Sequence, residues 1–482
     1  MLGIFLHSCN APETVVELLS RMSLSIASST ISDAVRNLSK EAEQGIHLAG
    51  QSLLTAYAYD NLDIDFKKST PTTDKNQDTL VHLTTGTMLP LAHATLNDLR
   101  CSEELWQKYY RNADLDPKDI PSVSIDKLHS IHPEQPHPSK LSRRNRFNAW
   151  KYRTDLVNYG PEYFRRFRSK LGDPEVVEQI PIPEETPKQV PLRAVDVSPS
   201  TPEGNVEALE NFFAQAGVGD RADDPRVATS IGNHTILVFG DLLTGQHIRS
   251  VLESRSVEAT PWRRFQFIVY VMGLFHLKMA CADALWRIFI HPKKADIDSN
   301  SLMGLVSQIR PKETGKIKSK PGFRRMHEVI QHIGIVARLD LWRIAVSKQT
   351  PHTTLEAFAD SEPSLDLIEE ISLEIVREEA KFGDVTRLRM KPEAERDKQQ
   401  ENVFLLRRYF LLYEEISHAM NHGDIGRVET CFFPWMYIFL GCGKHKYAVE
   451  MRRYLENLHF IYPQGLRCYY SVVLQHLVLM IC

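Results

Sequence analysis

From Thr14 the chain places Val15, Leu18, Leu19 and Met22 on one helical face. A serine-rich turn, Ser23-Leu-Ser-Ile-Ala27, leads to a second predicted helix over Ile31–Lys40, with Ser28, Ser29 and Thr30 as N-cap oxygens. This is the spacing of a helix-turn-helix, and equally of a plain helical hairpin. Arg36, Asn37 and Lys40 face outward on the second helix. The first reading makes Arg36 and Lys40 DNA contacts. From Ser52 to Phe66 small and aromatic residues predict a strand. From Asp60 it alternates, with Leu62, Ile64 and Phe66 on one face and Asn61, Asp63 and Asp65 on the other. A polar loop over 67–77 and a second strand over Thr79–Thr85 complete a hairpin.

The run His234-Thr-Ile-Leu-Val-Phe-Gly-Asp-Leu-Leu-Thr-Gly245 is the most informative of the chain. Ile236–Phe239 read as a buried strand that stops at Gly240 and delivers Asp241 at its carboxyl end, the edge where open α/β sheets place their ligands. Beyond it the pattern is helical: Thr244–Ser256, Trp262–Ile290, Phe323–Ser347, Ser364–Lys381, Val403–Asn421, Arg427–Leu440 and Lys444–Asn457. Upstream, Leu141–Lys170 is basic and aromatic, including Arg143, Arg144, Arg146, Phe147 and Trp150. That mixture suits phosphate contact with ring stacking, and also a solvated helix face over an aromatic core. Seven prolines between Gly172 and Asn205 exclude regular helix or central strand there.

The predicted organisation is a helix-turn-helix element over 1–45, the first core strands over 46–100, a basic helical insertion over 101–170, a proline-rich wrap over 171–230, the glycine-aspartate strand with its helical region over 231–470, and an atypical tail over 471–482. The expected class is mixed α/β and helix-rich. Composition adds little: 43% hydrophobic and 25% charged residues are ordinary for a globular protein, and the net charge of −3 gives no global pull toward polyanions. Seven scattered cysteines without a CxxC pair exclude a zinc ribbon and a disulfide framework, and point to the nucleus or cytoplasm rather than secretion. The longest apolar segment, Phe265–Ile290, carries His276, Lys278, Asp283 and Arg287, so it reads as a buried helix and not a membrane span.

Three carboxylates suggest chemistry: Asp60 or Asp63 on the first strand, Asp241, and Glu429 in Asn421-His-Gly-Asp-Ile-Gly-Arg-Val-Glu-Thr430. Clustered acids repel one another unless a divalent cation sits among them. Two Mg²⁺ or Mn²⁺ ions about 3.5–4 Å apart would serve phosphoryl transfer, with no organic cofactor. Each acid also has a structural reading. Asp60, Asp63 and Asp241 suit turns, Asp424 suits a helix N-cap, and Glu429 suits a helix surface. His276 is either a hydrogen-bonded core histidine or a neighbour of the acids. His418 and His422, four apart, lack the glutamate that zinc peptidases place after the first histidine.

Leu2-Gly-Ile-Phe-Leu-His-Ser-Cys9, Ala58-Tyr-Asp-Asn-Leu-Asp-Ile64, Gly240-Asp-Leu-Leu-Thr244, Leu274-Phe-His-Leu-Lys-Met279 and Gly423-Asp-Ile-Gly-Arg-Val-Glu429 together resemble a domain family of unknown function expanded in mushroom-forming fungi. That family looks transposase-derived. The resemblance implies a split RNase H-like core with large helical insertions and a helical C-terminal half, its first acid on strand one, its second at the end of strand four and its third on a following helix. It assigns Asp60 (or Asp63), Asp241 and Glu429 to the metal, the N-terminal helices to DNA, and strand cleavage or transfer to the protein; the alternative is a non-catalytic nucleic-acid- or protein-binding relative. Family members continue past Phe460-Ile-Tyr-Pro463 with further helical sequence, so the ending Ser471–Cys482 is expected to be a truncated or misassigned end.

Overall fold

The computed structural model of the chain describes residues 2–9, 11–65, 80–91, 94–179, 189–290, 301–382 and 385–470. The expected hairpin loop over 67–77, the residues Phe66 and Thr79 at the strand ends, Pro181, Pro183 and Pro187, and the tail over 471–482 lie outside them. The protein is mixed α/β and helix-rich, and it forms two compact units built from interleaved segments. The first comprises Met1–Pro121, Pro183–Met272 and Ile461–Tyr470; the second comprises Ser122–Ile182 and Gly273–Phe460.

The first unit holds the sheet. Its strands are β1 (Thr55–Asp65), β2 (Leu80–Pro90), β3 (Val190–Pro191), β6 (Ile236–Gly240) and β7 (Ile268–Met272), in the order β3-β2-β1-β6-β7. Between β3 and β6 in the chain, β4 (Val218–Gly219) and β5 (Thr229–Ser230) form a separate parallel pair. β1 and β2 make the antiparallel hairpin that the alternation predicts, from Thr55↔Pro90 to Asp65↔Leu80. β3 is antiparallel to β2, whereas β6 runs parallel to β1 and β7 parallel to β6. The proline-rich segment behaves as its composition requires. Pro191 sits on the edge strand, where its missing N–H costs no ladder bond, and Pro202 opens the helix Pro202–Gln215.

One sheet face is packed by that helix and by Leu242–Ser254. Tyr57, Tyr59, Met88, Val238 and Ile268 meet Leu209, Phe212, Phe213, Ile248 and Val251 in one core. Phe213 stands edge-on to Tyr57 at 5.1 Å, an arrangement that adds about 0.5–1.5 kcal/mol to area burial.

One expected element is corrected. The segment read as a single buried helix over Trp262–Ile290 is β7 followed by the helix Leu274–Phe289, with Gly273 between them as N-cap. A short run such as Ile268-Val-Tyr-Val-Met272 does not distinguish strand from buried helix by periodicity. Pairing with β6, from Ile236↔Ile268 to Gly240↔Met272, decides for the strand. No helix among the described residues is long and apolar enough to cross a membrane.

The second unit is helical. Tyr152, Leu156 and Val157 of Arg143–Tyr159 pack with Trp342 and Val346 of Gly322–Gln349 and with Ile368 and Ile371 of Leu365–Phe382. The Trp342 indole donates to the Tyr152 carbonyl at 2.9 Å. Buried charges are paired. Arg338 donates to Asp155 and meets Glu414 at 3.4 Å, and Lys151 lies 3.0 Å from Asp155 and 3.5 Å from Glu414. Among the described residues, Cys101, Cys281 and Cys431 are buried free thiols.

Candidate functional site

Asp60 and Asp241 belong to the first unit. The parallel register pairs Tyr57 with Val238 and Ala58 with Phe239, and Asp60 and Asp241 each lie two residues past the last of these pairs. The glycines on either side of Asp241 have a steric reason. A Cβ on Gly240 would run into the Thr244 side chain, and one on Gly245 would run into the Tyr270 ring. Closure of this turn lets the Asp241 carboxylate accept the Thr244 amide at 2.7 Å as N-cap of Leu242–Ser254, while the Tyr270 hydroxyl donates to the Asp241 carbonyl at 2.7 Å. The turn role expected for Asp241 is therefore filled by one oxygen. Asp60 is exposed, and its Oδ1 accepts the Asn61 amide at 2.8 Å. Tyr59 registers the charge at this edge. Burial first, and then the negative charge of Asp241, push its phenol well above the usual range; its hydroxyl donates to Asn205 at 2.6 Å.

Asp63 projects from the opposite face of β1, as alternation requires, and pairs with His82 across the hairpin at 2.7 Å. Asp60, Asp63 and Asp241 do not belong to any group of three converging ligand side chains among the described residues.

Glu429 lies in the second unit, with partners the sequence did not suggest. It sits on the helix Ile425–Gly441, fully buried, and its Oε2 is 2.7 Å from both His132 Nε2 and His459 Nε2. Tyr454 donates to its other oxygen at 3.2 Å. Burial alone would push the Glu429 carboxyl up; hydrogen bonds and charge from His132 and His459 outweigh that and hold it below its usual value. No spacing motif links residues 132, 429 and 459, and nothing in the sequence marked the two histidines.

The Gly423-Asp-Ile-Gly-Arg-Val-Glu429 string has a structural explanation up to Arg427. Gly423 takes φ +74°. Asp424 caps the helix by accepting the Arg427 amide at 3.0 Å, and also accepts the amides of Val177 and Glu178. Gly426 gives that segment room, since a Cβ would stand 2.8 Å from the Glu178 nitrogen. Buried Arg427 reaches Asp424 and Glu415 at 3.1 Å each.

The arginines expected to touch DNA have internal partners. Arg143 donates to the carbonyls of His132 and Pro133, Arg144 to Glu415 at 2.8 Å and the Thr430 carbonyl, and Arg146 to Glu175 and the Leu141 carbonyl. Arg36 and Lys40 are exposed on the helix Ser28–Gln51, with Arg36 3.3 Å from Asp33. The expected Ser28–Thr30 cap of that helix is corrected: Ala27 is the N-cap and no side chain closes it. His276 is half-buried on Leu274–Phe289. His418 and His422 stack at 3.8 Å, with Trp150 4.8 Å from His418.

The chain belongs to a family of unknown function, DUF6589, which it matches over residues 123–479. No match is found among curated proteins or solved structures.

Proposed function

We propose that this member of the DUF6589 family is a transposase-like protein that binds DNA and cleaves or transfers phosphodiester strands, with a ribonuclease H-like core in which Asp60 and Asp241 hold Mg²⁺ or Mn²⁺. One observation carries the reading: β1 and β6 pair in parallel, and two sequence-remote acids, Asp60 and Asp241, each follow the last paired residue by two positions. The sheet order supports it. Taken in chain order, the five strands comprise an antiparallel hairpin, an edge strand, and two parallel strands joined by a helix; Asp241 follows the fourth strand as the N-cap of that helix and Asp60 lies on the first.

The chemistry follows from charge. Two adjacent carboxylates repel, and a divalent cation between them removes the repulsion. Asp60 and Asp241 would hold the ion, which would supply activation of a water or hydroxyl and stabilisation of the leaving oxygen in an in-line displacement. Asp60 is exposed and has one oxygen on a local amide. Asp241 has one oxygen fixed by Thr244, which orients the second.

The test is Mn²⁺-dependent nicking of supercoiled plasmid by wild type, Asp60→Asn and Asp241→Asn. Loss of a metal ligand removes several kcal/mol of charge stabilisation, so each variant is expected to fall by about 10²-fold or more. Equal nicking by wild type and Asp241→Asn, or none by any protein, overturns the enzymatic claim. The Thr244 cap on Asp241 favours the second reading, a non-catalytic relative that keeps the fold. For that protein, calorimetry would show no Mn²⁺ binding that depends on Asp60 or Asp241.

A further inference from the structure

In the second unit, we infer that His132, Glu429 and His459 form a binding site for a zinc-class divalent transition-metal ion, independent of the acid pair on the sheet. The three donor atoms all lie within 4.8 Å of one another, and the three side chains are 12%, 3% and 7% exposed. A tetrahedral ion with bonds of about 2.0–2.1 Å sets its ligand atoms about 3.3 Å apart. The two Nε2···Oε2 distances of 2.7 Å therefore have to open by about 0.6 Å each. The rings stand perpendicular with centroids 5.9 Å apart, so their nitrogens converge without ring stacking.

The surroundings match what holds a metal ligand set. Ligating imidazoles turn their other nitrogen to a carboxylate or carbonyl, and ligating carboxylates are themselves hydrogen-bonded. His132 Nδ1 faces Glu178 Oε2 at 3.9 Å. Tyr454 fixes the second oxygen of Glu429. Arg143 clamps the carbonyls of His132 and Pro133, and Asp424 clamps the backbone of Val177 and Glu178. His459 lies in a π-helical turn, Asn457–Ile461, that follows the helix His445–Glu456; such turns are frequent at functional sites.

Two imidazoles and one carboxylate select zinc-like ions over Mg²⁺ or Ca²⁺, and three protein donors leave a fourth position for water. The ion would tie together segments that are 297 and 30 residues apart.

The experiment uses the full chain stripped with chelator and titrated with Zn²⁺ against a chromophoric competitor. Wild type is expected to take up one equivalent that 100-fold excess Mg²⁺ does not displace. His459→Gln keeps a hydrogen-bond donor for Glu429 but removes the imidazole, and should lose more than the roughly 10–100-fold expected for the outer partner in Tyr454→Phe. Asp60→Asn and Asp241→Asn should bind as wild type does, which separates this site from the proposed nuclease centre. X-ray absorption at the zinc edge of the wild type, which needs no variant, should show imidazole scattering from two histidines. No Zn²⁺ uptake by the stripped wild type, wild-type affinity in His459→Gln, or an edge spectrum without imidazole overturns the site.

Discussion

His418 makes the second unit acid-sensitive in a way that one substitution should remove. The histidine lies on Lys398–Asn421 among Phe147, Trp150 and the stacked ring of His422. Burial first, then the charges of His422, Arg427 and Lys151, push its pKa down to about 3. In the unfolded chain a histidine titrates near about 6.5. A base whose folded pKa is depressed is protonated first in the unfolded state, so its contribution is fully present above about pH 6.5 and is lost as the pH falls toward about 3. At pH 5 the unfolded value is about 1.5 units above the solution, which at about 1.4 kcal/mol per unit is a loss of about 2 kcal/mol. Urea unfolding followed by tryptophan fluorescence at pH 7 and pH 5 reads this directly, because Trp150 is a neighbour. Wild type should lose about 2 kcal/mol more than His418→Gln between the two conditions. Equal losses in the two proteins would exclude His418 as the source of the acid sensitivity.

Other outcomes follow from packing and charge. Arg338→Leu leaves two buried carboxylates, Asp155 and Glu414, with Lys151 as their one remaining cation in this cluster, and breaking the buried network in this way should cost about 3–5 kcal/mol in urea unfolding; a cost below about 1 kcal/mol would show that Lys151 alone compensates both acids. Gly245→Ala should lower the melting temperature and abolish nicking together, because a Cβ drives the Tyr270 ring off the turn that holds Asp241. For duplex DNA, Arg36→Gln with Lys40→Gln should flatten the log–log salt slope by about 0.9 for each phosphate no longer neutralised, whereas Arg144→Gln should act mainly on stability through Glu415; an unchanged slope would remove the N-terminal helices from the interface.

The elements legible in the sequence are those whose signals are local. The alternation after Asp60 marks the hairpin, and a β-branched run ending in Gly-Asp marks β6 and its acid. The helix pattern also locates Gly322–Gln349 and Leu365–Phe382 to within a residue or two. What stays hidden depends on partners distant in the chain. β7 is a strand because β6 lies beside it, a fact absent from residues 268–272 themselves. Glu415 and Glu175, the partners of Arg144 and Arg146, come from elsewhere in the chain, so neither ion pair is legible in the basic segment itself. Glu429 is recognisable as an unusual acid, but its two imidazoles come from segments with no motif spacing.

The decisive measurement for a metal held between Asp60 and Asp241 is anomalous diffraction from crystals of the full chain soaked in Mn²⁺. A peak is expected at the β1–β6 edge, within bonding distance of both carboxylates, and it should disappear in Asp241→Asn. No peak at that edge, with Asp241 engaged only by the Thr244 amide, would contradict the assignment.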